Sequence, residues 1–208
     1  MSFELVPRAF SKNPAFQLSA FDGSTGSNRG SDLRQLAADR DTEAISAWLM
    51  QFQSSKSTFD SYRKEAERLL LWSVLQLSKP LSSLVYEDLQ SYRQFLMNPQ
   101  PADFWVSAPG RRFGREDSRW RPFAGPLSAS SQRQSLVILN SMFSWLVEAG
   151  YLAGNPLALS RRRSPNSPKT ITRYLDPKLW AEVKAFILEL KTTDLARYHR
   201  LRWLFSLV

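Results

Sequence analysis

The 208-residue chain contains no cysteine and a single histidine. The first absence excludes a disulfide framework, a thiolate metal site and a cysteine nucleophile, and one imidazole does not build a multi-histidine metal cluster. Long apolar runs are missing too: the stretches at 136–139 and 204–208 fall far short of the ~20 residues that cross a bilayer. The opening residues, MSFELVPRAFSKNPAF, lack the charged start and apolar stretch of a secretory signal. The expectation from these absences is an intracellular protein with no cofactor, no metal and no membrane partner. Acidic residues are scarce as well, 19 against 28 Lys plus Arg, which gives a formal charge of +9. What is present is apolar material, 43% of residues with 12% aromatic, enough to bury a core in one domain and part of a second.

The positive excess is concentrated. Residues 157–173, LALSRRRSPNSPKTITR, hold Arg161, Arg162, Arg163, Lys169 and Arg173 with no acid, and so carry +5 of the +9. A proline-containing basic strap suits a polyanion such as DNA or RNA. A solvated interdomain linker accounts for it equally well.

Residues 1–40 read as a mobile arm, because FDGSTGSNRGSD is rich in Gly, Ser and Asn and shows no apolar period. From Asp41, with Asp41 or Thr42 as cap, Ile45, Trp48, Leu49 and Phe52 recur at helical spacing. Phe59, Tyr62, Ala66, Leu69, Leu70 and Val74 predict a long amphipathic helix over 57–77 that Lys79 and Pro80 end. Leu89, Tyr92, Phe95 and Leu96 mark a third helix, stopped by Pro99 and Pro101. Residues 99–126 hold five Pro, five Arg and two Trp without a period and read as a long loop. Helix resumes near Ser128, whose hydroxyl suits a cap, is apolar over 136–147, and ends at Gly150. Beyond the strap, helices are expected over about 176–191 and from Asp194. The apolar ending LFSLV leaves an unburied face, so the chain is expected to be truncated.

Three segments in this order resemble the N-terminal half of the tyrosine recombinase, or phage integrase, family. STFDSYRKEAERLLLWS at 57–73 is similar to the family's second helix, with Tyr62 four residues after Thr58 and Trp72 ten residues later. KPLSSLVYEDLQSYRQFL at 79–96 resembles the short element that follows. The most specific signal is SASSQRQSLVILNSMFSWLVEAGYLAGNPL at 128–157, with its Trp, Gly and Asn-Pro. The resemblance implies an all-α fragment: a SAM-like core-binding domain of about four helices at 41–157, an interdomain linker at 158–173, and the first helices of an incomplete catalytic domain at 174–208. In the family, the first catalytic arginine follows a segment similar to LARYHRLRWLFSLV, so no catalytic residue is expected here. The implied parent breaks and rejoins DNA through a phosphotyrosine, whereas this fragment binds without cleaving. Tyr62, Tyr92, Tyr151 and Tyr174 are not expected to be nucleophiles, and His199 reads as structural or surface. The resemblance further implies a cytoplasmic, nucleoid-associated bacterial protein, a tetramer of recombinase protomers on DNA in the parent, and a monomeric fragment.

Two helix faces and the strap are the candidate DNA contacts. On 57–77 the outward residues are Ser57, Thr58, Ser61, Arg63, Lys64 and Arg68, diluted by Asp60, Glu65 and Glu67. A solvated face is the ordinary reading, and the resemblance tips it toward contact by Thr58, Ser61, Lys64 and Arg68. At the start of the helix after Ser128, the polar residues Ser130, Ser131, Gln132, Arg133 and Gln134 suit phosphate or base edges. The family clamps DNA between its two domains, with Arg161, Arg162, Arg163, Lys169 and Arg173 along the backbone. In the 99–126 loop, Arg and Trp are placed either to contact nucleic acid or a neighbouring protomer, or to pin the loop through Trp105, Phe113, Trp120 and Phe123. Trp48, Trp72 and Trp145 are ordinary core residues. The competing functional reading is a non-catalytic helical adaptor for RNA or an acidic protein.

Overall fold

A computed structural model describes residues 5–11, 20–30, 34–111, 113–160 and 176–205. Among these the protein is mostly helical, with no strand and two isolated β-bridges. The chain divides into two compact units, Met1–Arg161 and Arg162–Val208.

The first unit is built on α2 (Asp41–Met50), α3 (Lys56–Leu77), α4 (Tyr86–Met97) and α6 (Ala129–Glu148), with short turns α1 (Arg8–Ser11) and α5 (Ala102–Trp105) and a 3-10 turn at Leu81–Ser83. Local chemistry sets the boundaries. Asp41 and Thr42 do not cap α2; instead the Glu43 carboxylate accepts from the amides of Asp39 and Arg40 at 3.0 and 3.2 Å. The left-handed Ser78, at φ 50°, turns the chain out of α3 before Lys79 and Pro80. Asp88 starts α4 by accepting from the Val85 amide and the Lys79 ammonium, both at 3.0 Å. Ser128 caps α6 through the Ser131 amide at 3.2 Å, and Gly150, at φ 71°, ends it.

Packing explains why α3 is amphipathic over its first half while α6 keeps one exposed stripe along its length. From Ala66 to Val74 every residue of α3 is buried, and Ile138, Leu139, Met142, Phe143 and Leu146 of α6 close the same core. Each such leucine or phenylalanine contributes ~1.5–3 kcal/mol by leaving water. The polar N-terminal half of α3 stays at the surface, and on α6 an exposed stripe runs through Ser130, Arg133, Val137 and Ser141.

The N-terminal segment differs from the expected arm. Leu5, Val6 and Phe10 are buried, and the Phe10 ring packs against Phe104, Trp105 and Trp120 with centroids 5.5–6.2 Å away. Residues 20–30 are tied to the α6 end by an antiparallel bridge between Arg29 and Leu152 and by hydrogen bonds from Gly30 to Tyr151 and from Ala153 to Asn28. Beneath them the fully buried Asp41 accepts from the Tyr151 hydroxyl at 2.8 Å and the Ser82 amide at 3.1 Å. Burial raises the Asp41 carboxyl pKa, and these hydrogen bonds oppose that shift. A side chain on Gly23 would collide with this carboxylate, and Gly23 also adopts φ 88°, so glycine is required there twice over. Composition suggested mobility because the anchors, a few apolar residues and a backbone bridge, leave no period in the sequence.

The second unit contains α7 (Pro177–Thr193) and α8 (Leu195–Phe205). Asp176 caps α7 through the Lys178 amide at 2.8 Å, and Asp194 does the same for α8 through Arg197 at 2.9 Å. Ile187, Leu190 and Tyr198 form a small core with Val183 and Leu201. The strap residues Arg161, Arg162, Arg163, Lys169 and Arg173 lie outside the described residues.

Candidate nucleic-acid interface

Two of the three acids expected to dilute the outer face of α3 are withdrawn from it. Glu65 is buried: one carboxylate oxygen pairs with Arg68 at 3.0 Å and the other accepts from the Ser135 hydroxyl of α6 at 2.8 Å. Glu67 is buried against Arg115 at 3.1 Å, and Arg115 also donates to the Leu5 carbonyl at 2.7 Å. Burial pushes the Glu67 carboxyl up to about 7, against the opposing pull of Arg115. Asp60 pairs with Arg63 at 3.0 Å. All of these acids are thus balanced within the protein.

This same network corrects the assignment of Arg68 to the DNA-facing set. Arg68 is only 7% exposed; its Nε donates to the Pro122 carbonyl at 2.9 Å and its guanidinium lies 4.4 Å from the Phe123 ring centre. Sequence periodicity put Arg68 one turn beyond Lys64 on the outer stripe, and the 99–126 loop covers that turn. The loop is pinned at both ends of its course: Trp105 and Phe123 are buried in the core, and Val106 and Phe123 form a parallel bridge. Near its tip, Arg119 stacks on Phe113 at 4.1 Å and pairs with Asp117 at 2.8 Å, which holds the Asp117 carboxyl down to about 2. Pinning therefore accounts for Trp105 and Phe123, Trp120 is half-buried against the same core beside Phe10, and Phe113 stacks within the loop itself.

Where α3 crosses α6, a cleft of about 330 Å³ opens to the surface. Ser57, Thr58, Ser61 and Lys64 line it from α3, Gln134 and Ile138 from α6, with Tyr62 and Glu65 completing the wall. Tyr62 is fixed from behind by Trp48, 5.5 Å away and stacked, and by Phe52 at 4.5 Å. Three of the expected contacts, Thr58, Ser61 and Lys64, therefore share one concave surface with α6. Lys64 is half exposed, with its ammonium 3.5 Å from Glu65. Lys56, exposed at the start of α3, has no ion-pair partner among the described residues.

The exposed face of α6 continues this surface. Ser130, Arg133, Gln134, Val137 and Ser141 are all exposed and recur at helical spacing. Arg133 has no side-chain partner among the described residues, and no acid occurs between 129 and 147. The Ser130 hydroxyl lies 3.0 Å from that of Ser128, within the cap. Gln132 is a second correction: its amide nitrogen donates to the Leu127 carbonyl at 2.7 Å, so it secures the loop junction and is turned away from the exposed stripe. Sequence reasoning named neither Lys56 nor Val137 as a site residue. The signal that finds Val137 is its spacing, four residues after Arg133 and three after Gln134.

The remaining chemical candidates are accounted for structurally. Tyr92 is fully buried and burial raises its hydroxyl pKa; Tyr151 is buried on Asp41 and shifted the same way. His199 is exposed on α8, its ring 5.3 Å from that of Tyr198, and Tyr174 lies outside the described residues. Among the described residues no group of three or more His, Asp or Glu is placed to hold a metal, and no helix is long and apolar enough to cross a membrane. The chain matches no protein-family model, no curated protein and no solved structure.

Proposed function

We propose that this chain binds duplex DNA as the core-binding part of a tyrosine recombinase, presenting the N-terminal half of α3 and the outer face of α6 to the DNA. On this reading the first unit is the SAM-like domain, and α7 and α8 open the recombinase catalytic domain. No residue is proposed as a nucleophile. The observation that carries the reading is the sorting of charge. Asp60, Glu65 and Glu67 are each paired with an arginine, whereas exposed Lys56 at the start of α3, the half-exposed Lys64 of the cleft, 3.5 Å from Glu65, and Arg133 of the α6 stripe lie among small polar side chains. A phosphate backbone is attracted to such a surface, and a helix lined by Ser, Gln and Arg is suited to the major groove.

Binding is tested with a random-sequence duplex and a single-stranded RNA of equal length, titrated by fluorescence anisotropy at two salt concentrations. The expected result is preferential, salt-sensitive binding to the duplex. Equal or tighter binding to the RNA, or no binding to either, overturns the proposal and favours an adaptor. Arg133→Ala is expected to reduce discrimination between preferred and random sites by ~1–3 kcal/mol if its guanidinium reads a base. Equal losses on every sequence assign it to phosphate.

A further inference from the structure

We infer that Val137 is a specificity-determining residue whose isopropyl group contacts the 5-methyl of a thymine in the major groove. This rests on the reading of the α6 face as a duplex-binding surface. Val137 is 63% exposed in the middle of a 20-residue helix. A lone exposed valine is ordinary on a protein surface, so exposure alone carries nothing. Its neighbourhood is the stronger observation. Arg133, Gln134 and Ser141 flank it within about one turn on the same face, all exposed, while the adjacent Ile138 and Leu139 are buried on the other.

A surface made only to hold phosphates gains nothing from a branched hydrocarbon at its centre, because a phosphate offers it no apolar contact. An apolar protein partner would need a wider patch, and the exposed residues one turn from Val137 on this face, Arg133, Gln134 and Ser141, are polar. The major groove meets both conditions. Its base edges present donors and acceptors to Arg and Gln, and thymine alone among the four bases adds a methyl group there. With its side chains a helix is roughly 10–12 Å across, which a major groove ~12 Å wide admits. Val137 also sits near the centre of the stretch 130–141, where a helix laid in the groove comes nearest the bases.

The experiment uses the full chain. Preferred duplexes are selected from a random-sequence pool, then resynthesised with each thymine in turn replaced by deoxyuridine, which removes one methyl and leaves pairing unchanged. One position is expected at which this weakens wild-type binding about 4-fold, the equivalent of withdrawing one methyl group from an apolar contact. Val137→Ala, which leaves folding intact because the site is exposed, is expected to bind both versions of that duplex equally. Absence of any methyl-sensitive position, or the same sensitivity in Val137→Ala, overturns the assignment while sequence-selective duplex binding stands. Failure to bind any duplex overturns it together with the proposed function.

Discussion

At the scale of single residues, Lys64 and Arg68 show how neighbouring positions on one helical stripe come to different ends. Both are basic, one turn apart and beside Glu65, yet Lys64 stays half exposed in an open cleft at 3.5 Å from that carboxylate, whereas Arg68 is buried against it at 3.0 Å. Arg68→Ala leaves the buried Glu65 with only the half-exposed Lys64 at 3.5 Å and the Ser135 hydroxyl, and is expected to cost up to ~3 kcal/mol in urea unfolding, the lower end for broken buried pairs. Lys64→Ala is expected to change stability by less than ~0.5 kcal/mol. Glu67 sets a pH dependence. Its folded pKa of about 7 lies above the ordinary 4.5, so between those values the native state holds a proton that the unfolded chain has released. Stability then falls as pH rises through that window, by on the order of 3 kcal/mol at most from this group. Asp41, also raised, adds to the fall from its ordinary 3.8 upward. Glu67→Gln is expected to flatten the curve between pH 4.5 and 7; an unchanged slope contradicts the shift.

At the scale of elements, the helices were legible and their connections were not. Apolar period, a serine cap and a glycine stop located α6 to within a residue or two, because each signal acts within a few positions of the boundary it sets. The cleft was legible in part: Thr58, Ser61 and Lys64 follow from periodicity, but the withdrawal of the buried acids depends on Arg68, Arg115 and Ser135, partners 3 to 70 positions away. The N-terminal segment was misread for the same reason, since Phe10 finds its ring partners in Phe104, Trp105 and Trp120, far downstream in the chain. Phe10→Ala is therefore expected to destabilise the first unit by ~3 kcal/mol or more in urea unfolding, as a core truncation does. A change below ~0.5 kcal/mol, the range of an ordinary surface substitution, would return this segment to the status of an arm. The 99–126 loop behaves in a related way: arginine and tryptophan in an irregular segment fit a nucleic-acid or protomer contact as well as the favoured reading, pinning, and burial of Trp105 and Phe123 assigns those two rings to pinning.

At the scale of the whole molecule, charge is partitioned between structure and surface. Arg68 and Arg115 are committed to internal partners, and on the proposed reading Lys56, Lys64 and Arg133 are among the exposed basic residues offered to a polyanion. Replacing Arg161, Arg162 and Arg163 by alanine is expected to weaken binding about equally for all duplex sequences, reducing the log-log salt slope by ~0.9 for each phosphate that is no longer neutralised. The most direct test concerns the start of α3, where Lys56 is exposed and Lys64 lines the cleft against α6. The salt dependence of duplex affinity is measured for the full chain and for the double variant Lys56→Ala, Lys64→Ala. If these two ammonium groups face phosphates, the slope falls in magnitude by ~1.8 while the unfolding curve stays in place. An unchanged slope in the folded variant would mean that the surface between α3 and α6 does not meet DNA.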